Sequence, residues 1–181
     1  VYFIDNEDYF RRKQIARDAD GKFFEDNGQR AIFFARGVLE TVKKLRWAPD
    51  VIHCQGWISQ LVPIYLKKAY NGDPIFSGSK IVTSLYGEIA DERFSPSFKD
   101  NILFGGITPA DVSQLDTPTG INLAKIAAMY SDGVVFGDKD VDPELVKFCQ
   151  EKDIPTLPFN EESIGNGRYI EEYDGFYQQL Q

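Results

Sequence analysis

Histidine is the side chain best suited to proton transfer near neutral pH, and this sequence has a single one, His53. Any catalytic triad or imidazole-based metal cluster must therefore be built through it. His53 lies in the run Trp47-Ala48-Pro49-Asp50-Val51-Ile52-His53-Cys54-Gln55-Gly56-Trp57. There Pro49-Asp50 signals a turn, Val51 to Cys54 reads as a strand and Gln55-Gly56 as a tight turn. A histidine at a strand end lines a cleft or is a structural group satisfied by its neighbours, and both readings stay open. Trp57 offers a ring for stacking on a sugar, or core mass at a helix start. Asp5 closes the apolar run Val1 to Ile4, and Tyr86 and Glu88 end and follow the run that starts at Lys80. These are polar groups at strand ends, where ligands of α/β sheets bind.

Other candidate chemistry is thinner. Asp138, Asp140 and Asp142 alternate like a calcium-loop fragment. They lack the glycine and closing glutamate that an EF-hand needs, so they read as a solvated turn. No metal and no cofactor is expected. Cys54 and Cys149 match no zinc spacing and read as two reduced, buried thiols of a cytoplasmic protein. Phosphate-loop, dinucleotide, serine-hydrolase and zinc-protease motifs are absent.

The elements that position these residues follow from periodicity. Short apolar runs predict strands over Val1–Asp5, Val51–Cys54, Lys80–Tyr86, Val134–Phe136 and Ile154–Phe159, the last broken by prolines. Helical spacing predicts a helix from Ala31 to Leu45, capped by Asp26 or Asn27. Further helices are predicted from Trp57 to Ala69 with Pro63 inside, from Thr108-Pro109, over Leu123–Tyr130, from Pro143 to Lys152, and over Tyr169–Leu180. Asn6–Glu25 and Gly87–Gly106 read as long polar loops. Alternating strands and helices predict an α/β fold, a Rossmann-like, mainly parallel sheet with helices on both faces. Residues 1–181 read as one domain. The opening at Val1 reads as a strand already under way, so the chain is expected to begin at a trimming or ordering boundary.

Composition bounds the partners. At 43% hydrophobic and 27% charged residues the chain is an ordinary globular one. A net charge of −8 disfavours nucleic acid and anionic membranes, and no run is long enough to span a bilayer. Neutral sugars remain suitable ligands.

Three segments carry a resemblance. They are Tyr2-Phe3-Ile4-Asp5 with Glu25-Asp26-Asn27-Gly28-Gln29-Arg30, then Trp47 to Trp57 with Leu61-Val62-Pro63-Ile64-Tyr65-Leu66, and Lys80-Ile81-Val82-Thr83-Ser84-Leu85-Tyr86. In this order they resemble the glycogen/starch synthase family in its N-terminal, starch synthase catalytic domain. The central segment is the most specific, matching a W-x-P-D-V-(I/V)-H-x-x-D-W run with an L-x-P-x-Y-L helix. The resemblance implies one lobe of a GT-B glycosyltransferase. It also implies retaining transfer of glucose from ADP- or UDP-glucose to an α-1,4-glucan, with His53, Trp57, Asp5, Tyr86 and Glu88 as candidates to line the glucan side of the cleft. The departures are specific. The family's K-x-G-G-L loop and its donor-binding C-terminal domain are not in this chain. The family's aspartate in H-x-x-D-W is Gly56, and the histidine of its T-x-H-N run aligns with Leu85. The expected partner is thus an α-glucan acceptor, with a nucleotide-sugar held only by a second domain. The alternative is a non-catalytic module binding glucan or protein, favoured by Gly56 and Leu85. An unrelated doubly wound small-molecule binder is a third reading. A sheet lacking its first unit exposes an edge, so either other chain covering that edge or association through it is expected.

Overall fold

A computed structural model describes residues 1–181. The run Ile81-Val82-Thr83-Ser84-Leu85 is buried on both of its faces, as a strand covered on both sides requires, and its two hydroxyls are hydrogen-bonded. It lies in β2 (Lys80–Leu85), with β1 (Val51–Gln55) on one side and β3 (Gly133–Phe136) on the other. β4 (Thr156–Leu157) completes a four-stranded sheet in the order β1-β2-β3-β4, with every pairing parallel. Val51 to Gln55 lie opposite Lys80 to Ser84, and Val82 to Leu85 opposite Gly133 to Phe136.

Helices α1 (Glu7–Phe10), α2 (Asn27–Leu45), α3 (Val62–Ile64), α4 (Phe98–Ile102), α5 (Gly120–Met129), α6 (Pro143–Glu151), α7 (Glu161–Asn166) and α8 (Tyr169–Leu180) surround it. One face of the sheet presents Ile52, Cys54 and Ile81 to Ala31, Ala35 and Leu39 of α2 and to the segment around α3 and α4. Leu85, Val134 and Phe136 continue that side against Ala124 and Ala128 of α5 and Leu145 and Cys149 of α6. The opposite face presents Val82 and Val135 to Phe176 of α8, with Val51, Leu157, Tyr173 and Leu180 around them. The α/β architecture with helices on both faces is therefore as predicted. No helix is long and apolar enough to cross a membrane.

Several predicted elements differ. Val1–Asp5 forms no strand: it pairs with nothing, and Val1, Tyr2 and Phe3 are exposed. An apolar run becomes a strand only where a neighbour accepts its backbone groups, and β1, at the edge of the sheet, is not joined to it. The fifth predicted strand shrinks to Thr156–Leu157 between Pro155 and Pro158, which have no N–H to donate. The predicted helix over Trp57–Ala69 is broken into a 3-10 turn at Trp57–Ser59, the short α3 and a π turn over Tyr65–Ala69, closed by Tyr70 N–H donating to the Tyr65 carbonyl at 2.9 Å. Pro63 sits in the first turn of α3, where its missing donor is tolerated, so a new helical piece starts there and the preceding turn does not run on into it. Thr108-Pro109 makes a turn instead of a helix, since the Asp111 carboxylate takes the Thr108 N–H (2.9 Å) and hydroxyl (2.8 Å). The predicted loop Gly87–Gly106 contains α4, and α7 arises where no helix was predicted. Asp26 occupies the position before α2 yet caps nothing, because its carboxylate is paired with Arg12.

Candidate functional site

The carboxyl ends of β1, β2 and β3 meet at Gln55-Gly56, Tyr86-Gly87-Glu88 and Gly137-Asp138. Gly56 has φ 76° and ψ 158°, a backbone region reserved for glycine. That conformation lets β1 pass straight into the 3-10 turn at Trp57. The turn is held from two sides: Trp57 N–H donates to Glu88 Oε1 at 3.3 Å, and the Ser59 hydroxyl donates to the carbonyls of Gln55 (3.0 Å) and Gly56 (2.8 Å). Arg17 ties in the next loop, with Nε donating to Glu92 Oε1 at 2.7 Å and a terminal nitrogen to the Glu88 carbonyl at 2.9 Å. Across the rim, Gly87 N–H donates to Asp138 Oδ2 at 3.1 Å. The Tyr86 ring lies so close to Gly137 that a side chain at 137 would collide with it.

Tyr86 and Glu88 thus share one rim with Gly56, and Glu88 uses only one carboxylate oxygen in the protein. The other predicted residues stand elsewhere. His53 is in the middle of β1, three residues before Gly56, with its ring turned to α8. Its Nδ1 is 2.6 Å from the Tyr177 hydroxyl and its Nε2 is 2.7 Å from the Ser84 hydroxyl. Burial pushes its pKa down to about 4, so the imidazole is neutral at pH 7, with one nitrogen donating and the other accepting. Both nitrogens are engaged, which leaves no lone pair for a metal. Trp57 packs on the opposite side of the sheet, 2% exposed. Its ring meets Phe23, Phe94 and the Arg30 guanidinium, 5.8 Å from the ring, and no face is free for a sugar. His53 and Trp57 therefore share no concavity. Asp5 is exposed in the segment leading into α1, and no hydrogen bond or ion pair joins it to the rim.

Arg17 belongs to the rim and was not singled out from the sequence, since it sits in a charged, irregular stretch with no periodicity to mark it. Asp138, read as part of a solvated turn, braces Gly87 and Asp140 through its two oxygens. No three metal-ligating side chains converge. Burial raises the Cys54 thiol to about 12 and the Cys149 thiol to about 11, so both stay protonated.

A parallel sheet covered on both faces, with polar loops gathered at its carboxyl ends, is the form of one lobe of a GT-B glycosyltransferase. The fold is similar to the catalytic domain of starch synthase IV from Arabidopsis thaliana, solved with ADP and acarbose, at a TM-score of 0.58 and 16% identity. That likeness covers 77% of this chain and 31% of the plant one. Residues 1–151 match the family model of the starch synthase catalytic domain, and the chain belongs to that family. It is 35% identical over 171 residues to a glycogen synthase of Chlorobium limicola, covering 92% of this chain and 30% of that protein. To a glycogen synthase of Clostridium perfringens it is 32% identical over 134 residues, covering 74% of this chain and 27% of the relative. The chain thus spans less than a third of the length of these relatives.

Proposed function

We propose that this chain is part of the acceptor-side lobe of a glycogen/starch synthase and that its carboxyl-end rim binds α-1,4-glucan. The observation that carries the reading is the Gly56 turn. It exposes bare backbone beside the Glu88 carboxylate, whose second oxygen is free for a sugar hydroxyl. Tyr86 and Glu88 touch the glucan in this reading. His53 and Trp57 support β1 from its two faces, and Asp5 flanks the entry to α1. The reaction served is retaining transfer of glucose from ADP- or UDP-glucose, with the nucleotide-sugar held by a second domain, in cytoplasmic glycogen biosynthesis. The chain alone is incomplete for this chemistry. Stabilising a departing diphosphate takes oriented cations, and Arg17, the cation bonded into the rim, is already paired with Glu92.

Affinity electrophoresis in glycogen gels tests the binding. The chain is retarded, and Glu88→Gln loses about tenfold in affinity, the scale of one charge-assisted hydrogen bond. Migration unaffected by glycogen overturns the reading. Incubation with labelled ADP-glucose or UDP-glucose and glycogen gives no incorporation from the chain alone.

A second reading is a non-catalytic module that binds glucan or protein. Gly56 and the fully buried Leu85 favour it, because neither offers a polar side chain at a strand tip. Incorporation by the longest native polypeptide separates the two. The open edge of β1 serves association in either reading, and a monodisperse monomer by light scattering removes that role.

A further inference from the structure

The stretch Glu25-Asp26-Asn27-Gly28-Gln29-Arg30 is conspicuous in the sequence, and Asn27 and Arg30 are its buried polar side chains. Both turn to the irregular segment ahead of α2. The Arg30 guanidinium donates to the carbonyls of Tyr9 (2.9 Å) and Ile15 (2.6 Å) and to Asn27 Oδ1 (2.6 Å). The Asn27 amide donates to the Ala16 carbonyl at 2.8 Å. The carbonyls of the two residues just before Arg17 are thereby fixed from within the core. From there the Arg17 guanidinium crosses to the rim, with Nε on Glu92 Oε1 at 2.7 Å and Nη2 on the Glu88 carbonyl at 2.9 Å. Arg30 also lies against the Trp57 ring, 5.8 Å from its centre, and Trp57 N–H donates to Glu88 Oε1. These contacts close a ring. One buried guanidinium supports Glu88 by two routes, at its carboxylate through Trp57 and at its carbonyl through Ile15, Ala16 and Arg17.

Glu88 needs that support. It is exposed, and its carboxylate makes a single long bond of 3.3 Å. An exposed acidic side chain keeps its rotamer freedom unless backbone and tip are both held. The loop around it is anchored at each end without Arg17. Gly87 N–H donates to Asp138, while the N–H groups of Gly120 and Ile121 donate to the carbonyls of Glu92 (2.9 Å) and Ala90 (3.2 Å). Gly120 has no room for a side chain against the Ile89 carbonyl, so the loop seats directly on the start of α5. Between these anchors, the Glu88 carbonyl accepts from Arg17. Bonding two acceptors on different residues takes a planar forked donor, which a guanidinium is and an ammonium is not. We propose that Arg17 is a positioning residue for the Glu88 carboxylate, fixing where its free oxygen meets a sugar hydroxyl. Through it, the segment before α2 is coupled to affinity at the strand tips. The affinity rests on the glucan-binding reading above; the positioning of Glu88 does not. The Arg17 side chain is 40% exposed, and so open an ion pair adds little to stability. Its loss therefore changes the rim and leaves the fold.

The test joins glycogen-gel affinities to NMR of the isotope-labelled 181-residue chain, where the Trp57 backbone amide reports its bond to Glu88. We expect Arg17→Ala to move the Trp57 amide towards its position in Glu88→Ala and to weaken gel retardation about fivefold. In a Glu88→Ala background the same change should have no further effect, because Arg17 acts through Glu88. Arg17→Lys, which keeps the charge without the fork, should lie closer to Arg17→Ala than to the wild type. Equal losses from Arg17→Ala in both backgrounds would mean that Arg17 meets the ligand itself, and would overturn the positioning role. A Trp57 amide left in place, an affinity unchanged in Arg17→Ala, or full retardation in Arg17→Lys would overturn it too. If glycogen retards no form of the chain, the glucan reading falls and the Trp57 amide decides the positioning of Glu88. The urea midpoint of Arg17→Ala should match the wild type. A lowered midpoint with amide shifts spread across the sheet would make the residue structural and end the proposal.

Discussion

The two faces of the sheet are held by different forces. On the α2–α5–α6 side the contact is almost wholly aliphatic and aromatic, from Leu39 and Leu123 to Phe98 and Ile126. On the α8 side a smaller apolar patch around Val82, Val135 and Phe176 is supplemented by a hydrogen-bonded string that runs Tyr177–His53–Ser84 and joins α8 to β1 and β2. Burial of apolar area does not depend on protonation and is non-directional. A string through an imidazole depends on one protonation state and one geometry. One face should therefore carry the bulk of the stability, and the other should make the last helix sensitive to acid.

Removing apolar mass from the first face gives the largest effect. Leu39→Ala, at a fully buried position, is expected to cost about 2–5 kcal/mol, read from the urea midpoint. If a single substitution on the α8 side costs more, the contrast fails. His53→Ala comes next, at about 1–3 kcal/mol, because it strands the buried Ser84 hydroxyl and the Tyr177 phenol. Tyrosine near-UV signals should change along with stability. Acid acts through the same residue. Since burial lowers the His53 pKa from 6.5 to about 4 in the folded chain, the unfolded chain binds the proton first as pH falls. The neutral-imidazole contribution is complete above pH 6.5 and is lost as pH falls from there towards 4. His53→Gln should flatten that part of the stability profile. An identical slope in wild type and variant would show that carboxylates such as Asp26, held down by Arg12, govern the whole acid response. The smallest effect is Tyr177→Phe, at about 1 kcal/mol, which takes one partner from the imidazole and leaves the ring packing in place.

Much of the sheet was legible because β-branched and apolar residues crowd β1, β2 and β3 between clear turn signals. The amphipathic helices α2, α5, α6 and α8 were legible from spacing. The sequence was less clear wherever a residue's fate depended on distant chain. Trp57 is core because Phe23 and Phe94 arrive from segments that carry no periodicity. His53 lies mid-strand because β1 runs on to Gln55, and the alternation of a strand puts it on the face opposite Cys54. The positive φ of Gly56 then breaks that alternation, so a four-residue spacing to Trp57 does not mean a shared side. The prolines at 155 and 158 were visible, but how few residues would still pair between them was set by β3.

Gly56 also limits what the rim can carry. Its backbone sits where residues with a Cβ are strained, and a side chain there would start 3.9 Å from the Glu88 carboxylate. An aspartate placed here would meet both a backbone penalty and an anion already in residence. The two loops are therefore coupled, and replacing Gly56 by an acidic residue calls for a matching change at Glu88.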